Sequence, residues 1–418
     1  MPKLSVDMEK KIYGLLGGKL SHSYSPEIHA LLGDYEYRLF EKEADEVGRF
    51  LESDAFEAIN VTIPYKKTVM RYLSKISGEA EKIGAVNTIT RTKNGLRGDN
   101  TDYYGFSYML KKSGIEVAGK KCLILGSGGA CCTARTVLGD MGATTVVISR
   151  SGEDNYENIA RHADASVIVN TTPVGMYPEN GVSPVDLSVF SNLHGVLDMI
   201  YNPCRTALIL DAIDQGIPAV NGLAMLVAQA KRANELFFGR PLPDTVTEEV
   251  LTKIRMTKEN VILIGMPGCG KSTAGQALAE ALGLRFADTD TEIQKMTGRT
   301  PAEIIGTDGE DAFRKIEHSA AVELGKKSGT VIATGGGIVT RPENRDPLRQ
   351  NGTVVYLSRT LERLAQNGRP LTARDGVEAL FKKRRPLYES WADRTVPVDD
   401  DIAKTVQNLI YAIGIKEK

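Results

Sequence analysis

Between Asn260 and Ile264 an apolar run breaks into Gly265-Met266-Pro267-Gly268-Cys269-Gly270-Lys271-Ser272. A helical pattern follows and stops near Gly283, a suitable C′ glycine. The GxxxxGK[ST] spacing in this setting leaves little choice of fold: strand, tight loop, then a helix whose N-terminus faces the loop. Glycines let backbone N–H groups approach phosphate oxygens, and the helix N-terminus adds positive potential. The pattern implies that Lys271 reaches the β- and γ-phosphates of ATP and Ser272 ligates Mg²⁺. Gly268, Gly270 and Thr273 complete the cradle.

A second unit of this kind lies upstream. Lys121–Leu125 is apolar, and Gly126-Ser127-Gly128-Gly129-Ala130 opens another helix with Cys131 where a dinucleotide fingerprint has its third glycine. The next strand, Thr145–Ile148, ends in Ser149-Arg150 and not in an acid. An acid there would bind a ribose 2′-hydroxyl, whereas arginine suits the 2′-phosphate of NADPH. The bland alternative is an exposed arginine at a strand end. Glu153 and Asp154 follow, which leaves the margin over NAD open.

Strand and helix patterns alternate along the chain, which argues α/β folding with parallel sheets. A length of 418 residues favours two or three domains, and 42% hydrophobic with 25% charged residues is a globular balance. The net charge of −1 gives no reason to expect nucleic acid or an anionic membrane as partner. No apolar run is long enough to span a bilayer. Five cysteines without paired spacing and five scattered histidines suggest neither disulfides nor a metal cluster, and a cytoplasmic protein is expected. Ile12–Leu16 and Ile59–Ile63 read as strands, Ser25 as an N-cap with Pro26 at the first helical position, and Asn94-Gly95 as a hairpin turn. Thr245–Leu251 reads as one short helix, and the polar stretch 253–259 as a linker.

After the P-loop come Asp288-Thr289-Asp290, Gly309-Glu310-Asp311-Ala312-Phe313-Arg314-Lys315-Ile316-Glu317, Gly335-Gly336-Gly337, Arg369-Pro370-Leu371 and Arg384-Arg385-Pro386-Leu387-Tyr388. In this order, from Met256 to the C-terminus, they resemble shikimate kinase. Two separated arginines, Arg314 and Arg384, suit bidentate capture of a carboxylate. The alternative for Arg314 is a solvated ion pair with Glu317, and for Asp288 a plain loop cap. The resemblance implies Asp290 as the group that orients the acceptor hydroxyl and takes its proton. It further implies Asp288 on Mg²⁺ through water, Gly336 where substrate approaches the backbone, and Arg369 on a lid over the phosphates. Arg363 is the candidate to pack on adenine.

Over residues 10 to 252 a different set appears: Ser21-His22-Ser23-Tyr24-Ser25-Pro26, Asn60-Val61-Thr62-Ile63-Pro64-Tyr65-Lys66, Gly84-Ala85-Val86-Asn87-Thr88, Gly98-Asp99-Asn100-Thr101-Asp102, Asn170-Thr171-Thr172-Pro173-Val174-Gly175-Met176 and Met225-Leu226-Val227-Ala228-Gln229. This set looks like shikimate dehydrogenase. The resemblance implies that Ser23, Ser25, Thr62, Asn87, Tyr201 and Gln229 hold substrate hydroxyls and carboxylate, with Gly222 near the nicotinamide. It also implies that Lys66 and Asp102 are the catalytic pair. Hydride delivery to a ketone creates an alkoxide that needs a proton and a nearby positive charge, and a lysine held by a carboxylate supplies both. The bland readings are a surface lysine for Lys66 and a helix N-cap for Asp102. Positive charge at a helix start opposes the helix dipole, so structure alone would not select Lys66 and Lys67 there.

The expected architecture is an N-terminal α/β substrate domain plus a Rossmann-like NADP domain, followed by a P-loop, NMP-kinase-like α/β domain. The bounds are 1–105, with helices of about 223–252 returning to it, then 106–222, the linker 253–259, and 260–418. The expected function is bifunctional: NADPH-dependent reduction of 3-dehydroshikimate to shikimate, then phosphorylation of shikimate by ATP. Quinate as an alternative substrate stays open. A metabolite-sensing regulator with enzyme-like domains would be expected to have lost Lys66, Asp102, Lys271 or Asp290, and all four are present.

Overall fold

The computed structural model, which describes residues 11–20, 23–364 and 376–414, is α/β throughout with three sheets among those residues. The chain separates into two units. One comprises Met1–Val174, Ser183–Tyr201 and Asp211–Ile254; the other comprises Gly175–Val182, Asn202–Leu210 and Arg255–Lys418.

The first unit carries two sheets. One is mixed, in the spatial order Glu36–Glu41, Ile12–Gly17, Ala58–Val61, Thr88–Thr92, Gly95–Asp99, Lys75–Ile76. Thr88–Thr92 and Gly95–Asp99 form the expected antiparallel hairpin, with Thr92 opposite Gly95. Only Gly95 has positive φ there (102°), so the turn is not the doubly left-handed kind that Asn-Gly favours. The other sheet is parallel, in the order Ala219–Val220, Gly195–Asp198, Val167–Asn170, Lys121–Leu125, Thr144–Ile148. Its central strands are buried on both faces, which explains their continuous apolar runs. Lys121–Leu125 lies where the strand order reverses, and the Gly126 loop leaves its carboxyl end.

The second unit repeats this logic with Arg285–Asp288, Thr330–Ala333, Asn260–Ile264, Gly352–Ser358 and Arg394–Pro397, all parallel. Asn260–Ile264 occupies the reversal point, and the Gly265 loop follows it. The helix after that loop, Lys271–Leu282, ends on Gly283 in the left-handed region, as the sequence indicates.

Three local expectations need correction. Ser25 is the first helical residue of Ser25–Leu32, not its cap: the chain already turns at Tyr24, and the Ser25 N–H donates to Ser23 Oγ at 3.2 Å. The strand predicted over Ile59–Ile63 stops at Val61, because Thr62 begins a turn closed by Tyr65 N–H to Thr62 O at 2.9 Å. The short helix runs on through Lys258, so 253–259 is mostly helical. Lys253, Arg255, Met256 and Lys258 are good helix formers, Ile254 continues the buried stripe of Val250 and Leu251, and Arg255 pairs with Glu259 at 2.8 Å.

Beneath the mixed sheet, helix Ser25–Leu32 buries His29. Its ring stacks on Tyr37 with centroids 3.9 Å apart, and Nδ1 lies 2.6 Å from the Tyr35 hydroxyl. That hydroxyl also accepts from Asn234 Nδ2 at 2.9 Å, so it is held from two sides. Burial pushes the imidazole pKa down from 6.5 to about 3. The folded-state value is depressed, so the contribution is complete above pH 6.5 and is lost as pH falls toward 3. Between about pH 7 and about pH 5 the first unit should lose about 2 kcal/mol through this group. Urea melts of His29→Gln should show that loss removed; an unchanged pH slope would mean His29 is not the neutral buried group described.

Candidate active sites

In the first unit, the turn after Ala58–Val61 delivers Lys66 to the start of helix Asp102–Ser113. Lys66 Nζ donates to Asp102 Oδ2 at 2.6 Å, and the two side chains are only 27% and 14% exposed. Partial burial excludes the surface-lysine reading. Asp102 is not a cap either: Thr101 holds that position, and the Asp102 N–H donates to Asn100 Oδ1 at 3.0 Å. The carboxylate therefore faces Lys66 from the first helical turn, where the dipole favours negative charge.

Asn87 lies beside this pair, buried, with Oδ1 accepting from Thr101 N–H at 2.7 Å and Thr88 Oγ1 at 3.0 Å. Gln229 arrives from helix Leu223–Phe238 and accepts from Thr101 Oγ1 at 3.3 Å. Helix Asp102–Ser113 can approach that closely because residue 105 is glycine: a Cβ there would lie 2.6 Å from the Met225 carbonyl. Ser23 and Ser25 are neighbours through the Ser25 N–H, and Ser25 is buried. Thr62 begins the turn that leads to Lys66. The ring of Tyr201 tilts against Tyr24 with centroids 5.1 Å apart, and burial raises the pKa of its hydroxyl.

At the reversal point of the parallel sheet, Gly126 has positive φ, and Gly128 and Gly129 face open space, with no atom within 4 Å of a built Cβ. Ala130 continues the helix that Gly129 begins. Arg150 is exposed and carries no hydrogen bond or ion pair among the described residues. Ser149 N–H donates to Asp154 O at 3.2 Å, and the Asp154 carboxylate lies 2.8 Å from His162 Nε2. Gly222 caps helix Leu223–Phe238, and a Cβ there would lie 2.1 Å from the Met199 carbonyl. Its need for glycine is therefore steric.

In the second unit, Lys271 is buried and Nζ donates to Gly265 O and Met266 O, each at 2.9 Å. Gly268 and Gly270 carry positive φ in the loop, and Thr273 is exposed on the first helical turn. Ser272 Oγ donates to Asp288 Oδ2 at 2.7 Å, while Asp288 Oδ1 caps the next helix by accepting from Asp290 N–H at 2.9 Å. Asp288 is thus a cap and a neighbour of the P-loop serine together. The described residues hold no group of three His, Cys, Asp or Glu able to bind a metal. Mg²⁺ fits here in its usual manner, on one or two protein oxygens with phosphates and water completing the shell.

Arg314 and Arg384 are both 5% exposed, so Arg314 is not a solvated ion pair. Arg314 donates to Glu317 Oε2 at 2.7 Å and to Glu310 Oε1 at 3.2 Å. Glu317, named from the sequence only as a partner in a solvated ion pair, is itself buried; its offset of three residues from Arg314 on one helix is the signal that links the two. Burial raises the pKa of its carboxyl, and the adjoining guanidiniums of Arg314 and Arg384 act against that. The glycine triplet draws the group together. Gly337 lies against the Arg314 guanidinium, where a Cβ would be 2.3 Å from Nη2. At Gly335 a Cβ would be 2.8 Å from Glu317 Oε1 and 3.3 Å from Asp290 Oδ1. Gly336, expected to admit substrate, packs on Pro267, and its carbonyl accepts from Arg384 Nη1 at 3.2 Å and from the Tyr388 hydroxyl. Arg363 pairs with Asp400 at 2.9 Å. Arg369 lies outside the described residues.

The family model of the shikimate dehydrogenase substrate binding domain matches residues 15–89, and that of shikimate kinase matches 267–413. A shikimate dehydrogenase (NADP(+)) of Clostridium beijerinckii is 39% identical over 259 residues, 57% of this chain and 96% of that protein. The chain belongs to the shikimate dehydrogenase family. A shikimate kinase domain follows the shared region. Among solved structures, a chorismate mutase/shikimate 5-dehydrogenase fusion protein from Clostridium acetobutylicum is 38% identical with a TM-score of 0.57, over 59% of this chain and 97% of that one. A shikimate 5-dehydrogenase from Thermus thermophilus, in complex with NADP(H) and shikimate, is 28% identical with a TM-score of 0.53, over 58% and 99%.

The kinase-domain geometry makes Gly337→Ala informative. The added methyl meets the Arg314 guanidinium, so the substitution should cost about 1–3 kcal/mol. Gly306→Ala, on a helix with nothing within 4 Å of the new methyl, should be neutral or stabilising by about 0.5–1 kcal/mol. Urea melts of the two variants should differ accordingly; equal stabilities would mean the triplet does not press on Arg314.

Proposed function

We propose that the chain is a bifunctional enzyme that reduces 3-dehydroshikimate to shikimate and then phosphorylates shikimate. The observation that carries the reading is the half-buried Lys66–Asp102 contact at 2.6 Å, in a chain that also buries Arg314 and Arg384 beside Glu317, itself near Asp290. The proposed domains are 1–105 with 223–252 for the first substrate, 106–222 for NADP(H), and 260–418 for ATP and shikimate.

When bound, NADPH would supply the hydride, ATP the phosphoryl group, and Mg²⁺ charge neutralisation at the phosphates. The chain's own residues do the rest. Lys66 Nζ donates a proton to the substrate carbonyl oxygen, and Asp102 orients the ammonium. Ser23, Ser25, Thr62, Asn87, Tyr201 and Gln229 hold hydroxyls and carboxylate, with Gly126, Gly128, Gly129, Ala130 and Gly222 beside the dinucleotide. Arg150, exposed and unpaired, reads the 2′-phosphate. In the kinase domain Arg314 and Arg384 clamp the carboxylate, and Asp290 takes the proton of the acceptor hydroxyl. Ser272 and Asp288 would hold Mg²⁺, and Lys271 the phosphates.

The test supplies 3-dehydroshikimate, NADPH and Mg-ATP and identifies the products; absence of shikimate 3-phosphate would sink the reading. Lys66→Ala should lower reduction by about 10²–10⁴ while leaving phosphorylation intact. Near-normal reduction would remove Lys66 from the mechanism. Arg150→Ala should weaken NADPH relative to NADH by about 1.5–3 kcal/mol. Equal loss for both coenzymes would show that Arg150 does not read the phosphate.

A further inference from the structure

We propose that Asn60 and Thr88 are positioning residues that fix which end of the Asn87 amide faces the substrate cleft. The proposal rests on the reading of Asn87 as a substrate contact. An amide can be flipped end for end with almost no change in shape, and only its partners decide which end presents donors. Here the backbone decides. Asn87 Oδ1 accepts from Thr101 N–H at 2.7 Å, and a backbone N–H can only donate. Asn87 Nδ2, with two donors, is therefore turned the other way, and it has no hydrogen-bond partner among the described residues. Asn60 is oriented by the same logic: Nδ2 faces the Asn87 backbone carbonyl at 3.5 Å, and Oδ1 accepts from the Tyr37 hydroxyl at 2.9 Å.

The hydroxyl between these two amides then has one consistent direction. Asn60 Nδ2 donates to Thr88 Oγ1 at 3.1 Å, so Thr88 uses its single proton elsewhere, and Asn87 Oδ1 at 3.0 Å is a nearer acceptor than Thr101 Oγ1 at 3.3 Å. The Thr101 hydroxyl stands between two acceptors, Asn87 Oδ1 at 3.2 Å and Gln229 Oε1 at 3.3 Å, and the Thr88 donor already on Asn87 Oδ1 favours the second. Gln229 is likewise fixed from behind, its Nε2 donating to the Leu226 carbonyl at 3.0 Å. The relay runs Tyr37, Asn60, Thr88, Asn87, with donors passed in one direction. It begins beside Ser25, whose hydroxyl interacts with that of Tyr37. Asn60, Thr88, Asn87 and Thr101 are all at most 6% exposed, so water does not substitute readily for a missing link.

Thr88→Val keeps the shape and deletes the hydroxyl. Asn87 then loses one of the donors that hold Oδ1, and Asn60 Nδ2 loses its acceptor. The expected result is a KM for shikimate raised about tenfold, the scale of one buried hydrogen bond, with the KM for NADP⁺ and the kinase activity unchanged. Thr88→Ser, which retains the hydroxyl, should return the shikimate KM to within about threefold of the parent. Asn60→Asp, nearly identical in shape but lacking the donor while ionised, should reproduce the Thr88→Val signature and serves if that variant does not fold. Equal rises in both KM values, or no rise in Thr88→Val and Asn60→Asp, would overturn the relay. Asn87→Ala separates the two layers of the argument. If it raises the shikimate KM while the Thr88 and Asn60 variants do not, the relay alone is wrong; if it too has no effect, Asn87 does not touch substrate and both fall.

Discussion

Strands Lys121–Leu125, Val167–Asn170 and Asn260–Ile264 are covered on both faces, and a strand so placed can accept polar side chains only at its ends. The rest of the molecule follows from that constraint. Asn170 and Asp198 close their strands and bond to each other, Nδ2 to Oδ1, at 3.0 Å. Asp288 ends Arg285–Asp288 and turns at once to Ser272 and to the next helix. The glycine loops leave the carboxyl ends of the two strands at which sheet order reverses, where neighbouring connections diverge and leave room for a ligand. Chemistry is concentrated at strand ends because the sheets exclude it elsewhere.

Charges in the two sites are handled differently. Lys66 and Asp102 keep contact with solvent, so their 2.6 Å pairing stabilises both without the full desolvation cost. Arg314 and Glu317 are almost wholly buried, and there the desolvation cost is several kcal/mol per ion before any gain is counted. An arginine kept under those conditions is better explained by what it must bind than by stability. Glu317 supports this: one oxygen serves Arg314, while the other, Oε1, has no hydrogen-bond partner among the described residues and points at Gly335. Replacing such a pair with apolar residues is often neutral or stabilising in proteins generally, which favours the proposed role of Arg314 in holding a carboxylate.

Much of this is legible in the sequence because the motifs are local. A P-loop is a contiguous spacing, and strand–glycine–helix order fixes both the fold and the end of the sheet that carries chemistry. Lys66 and Asp102 can be named from resemblance, but their meeting depends on a turn at Thr62–Tyr65 and a helix start at Asp102. Neither side chain announces its partner. Glu317 reads from the sequence as a solvated partner of Arg314 because an acid three residues from an arginine is commonplace on exposed helices, and only burial separates the two cases. The triplet is opaque in a related way: the packing of three adjacent glycines cannot be told apart without knowing that Pro267 lies against the middle one and Arg314 against the last. The helix through Lys258 is hidden because its polar composition imitates a linker, although Ile254 extends the buried stripe.

The geometry also bears on how an arginine followed by two acids could favour a phosphorylated coenzyme. Written as a string, Ser149-Arg150-Ser151-Gly152-Glu153-Asp154 looks close to self-neutralising. In space Asp154 is turned away: its carbonyl closes a tight turn with the Ser149 N–H, and its carboxylate lies against His162. Glu153 remains, but Arg150 forms no ion pair with it. Between exposed groups in high dielectric, unpaired charges contribute little at distances approaching the Debye length of about 8 Å. A 2′-phosphate in direct contact with a guanidinium gains a charged hydrogen bond as well as Coulomb energy. The balance therefore turns on contact and not on the local sum of charges, which supports the proposed preference for NADPH despite the acids that follow.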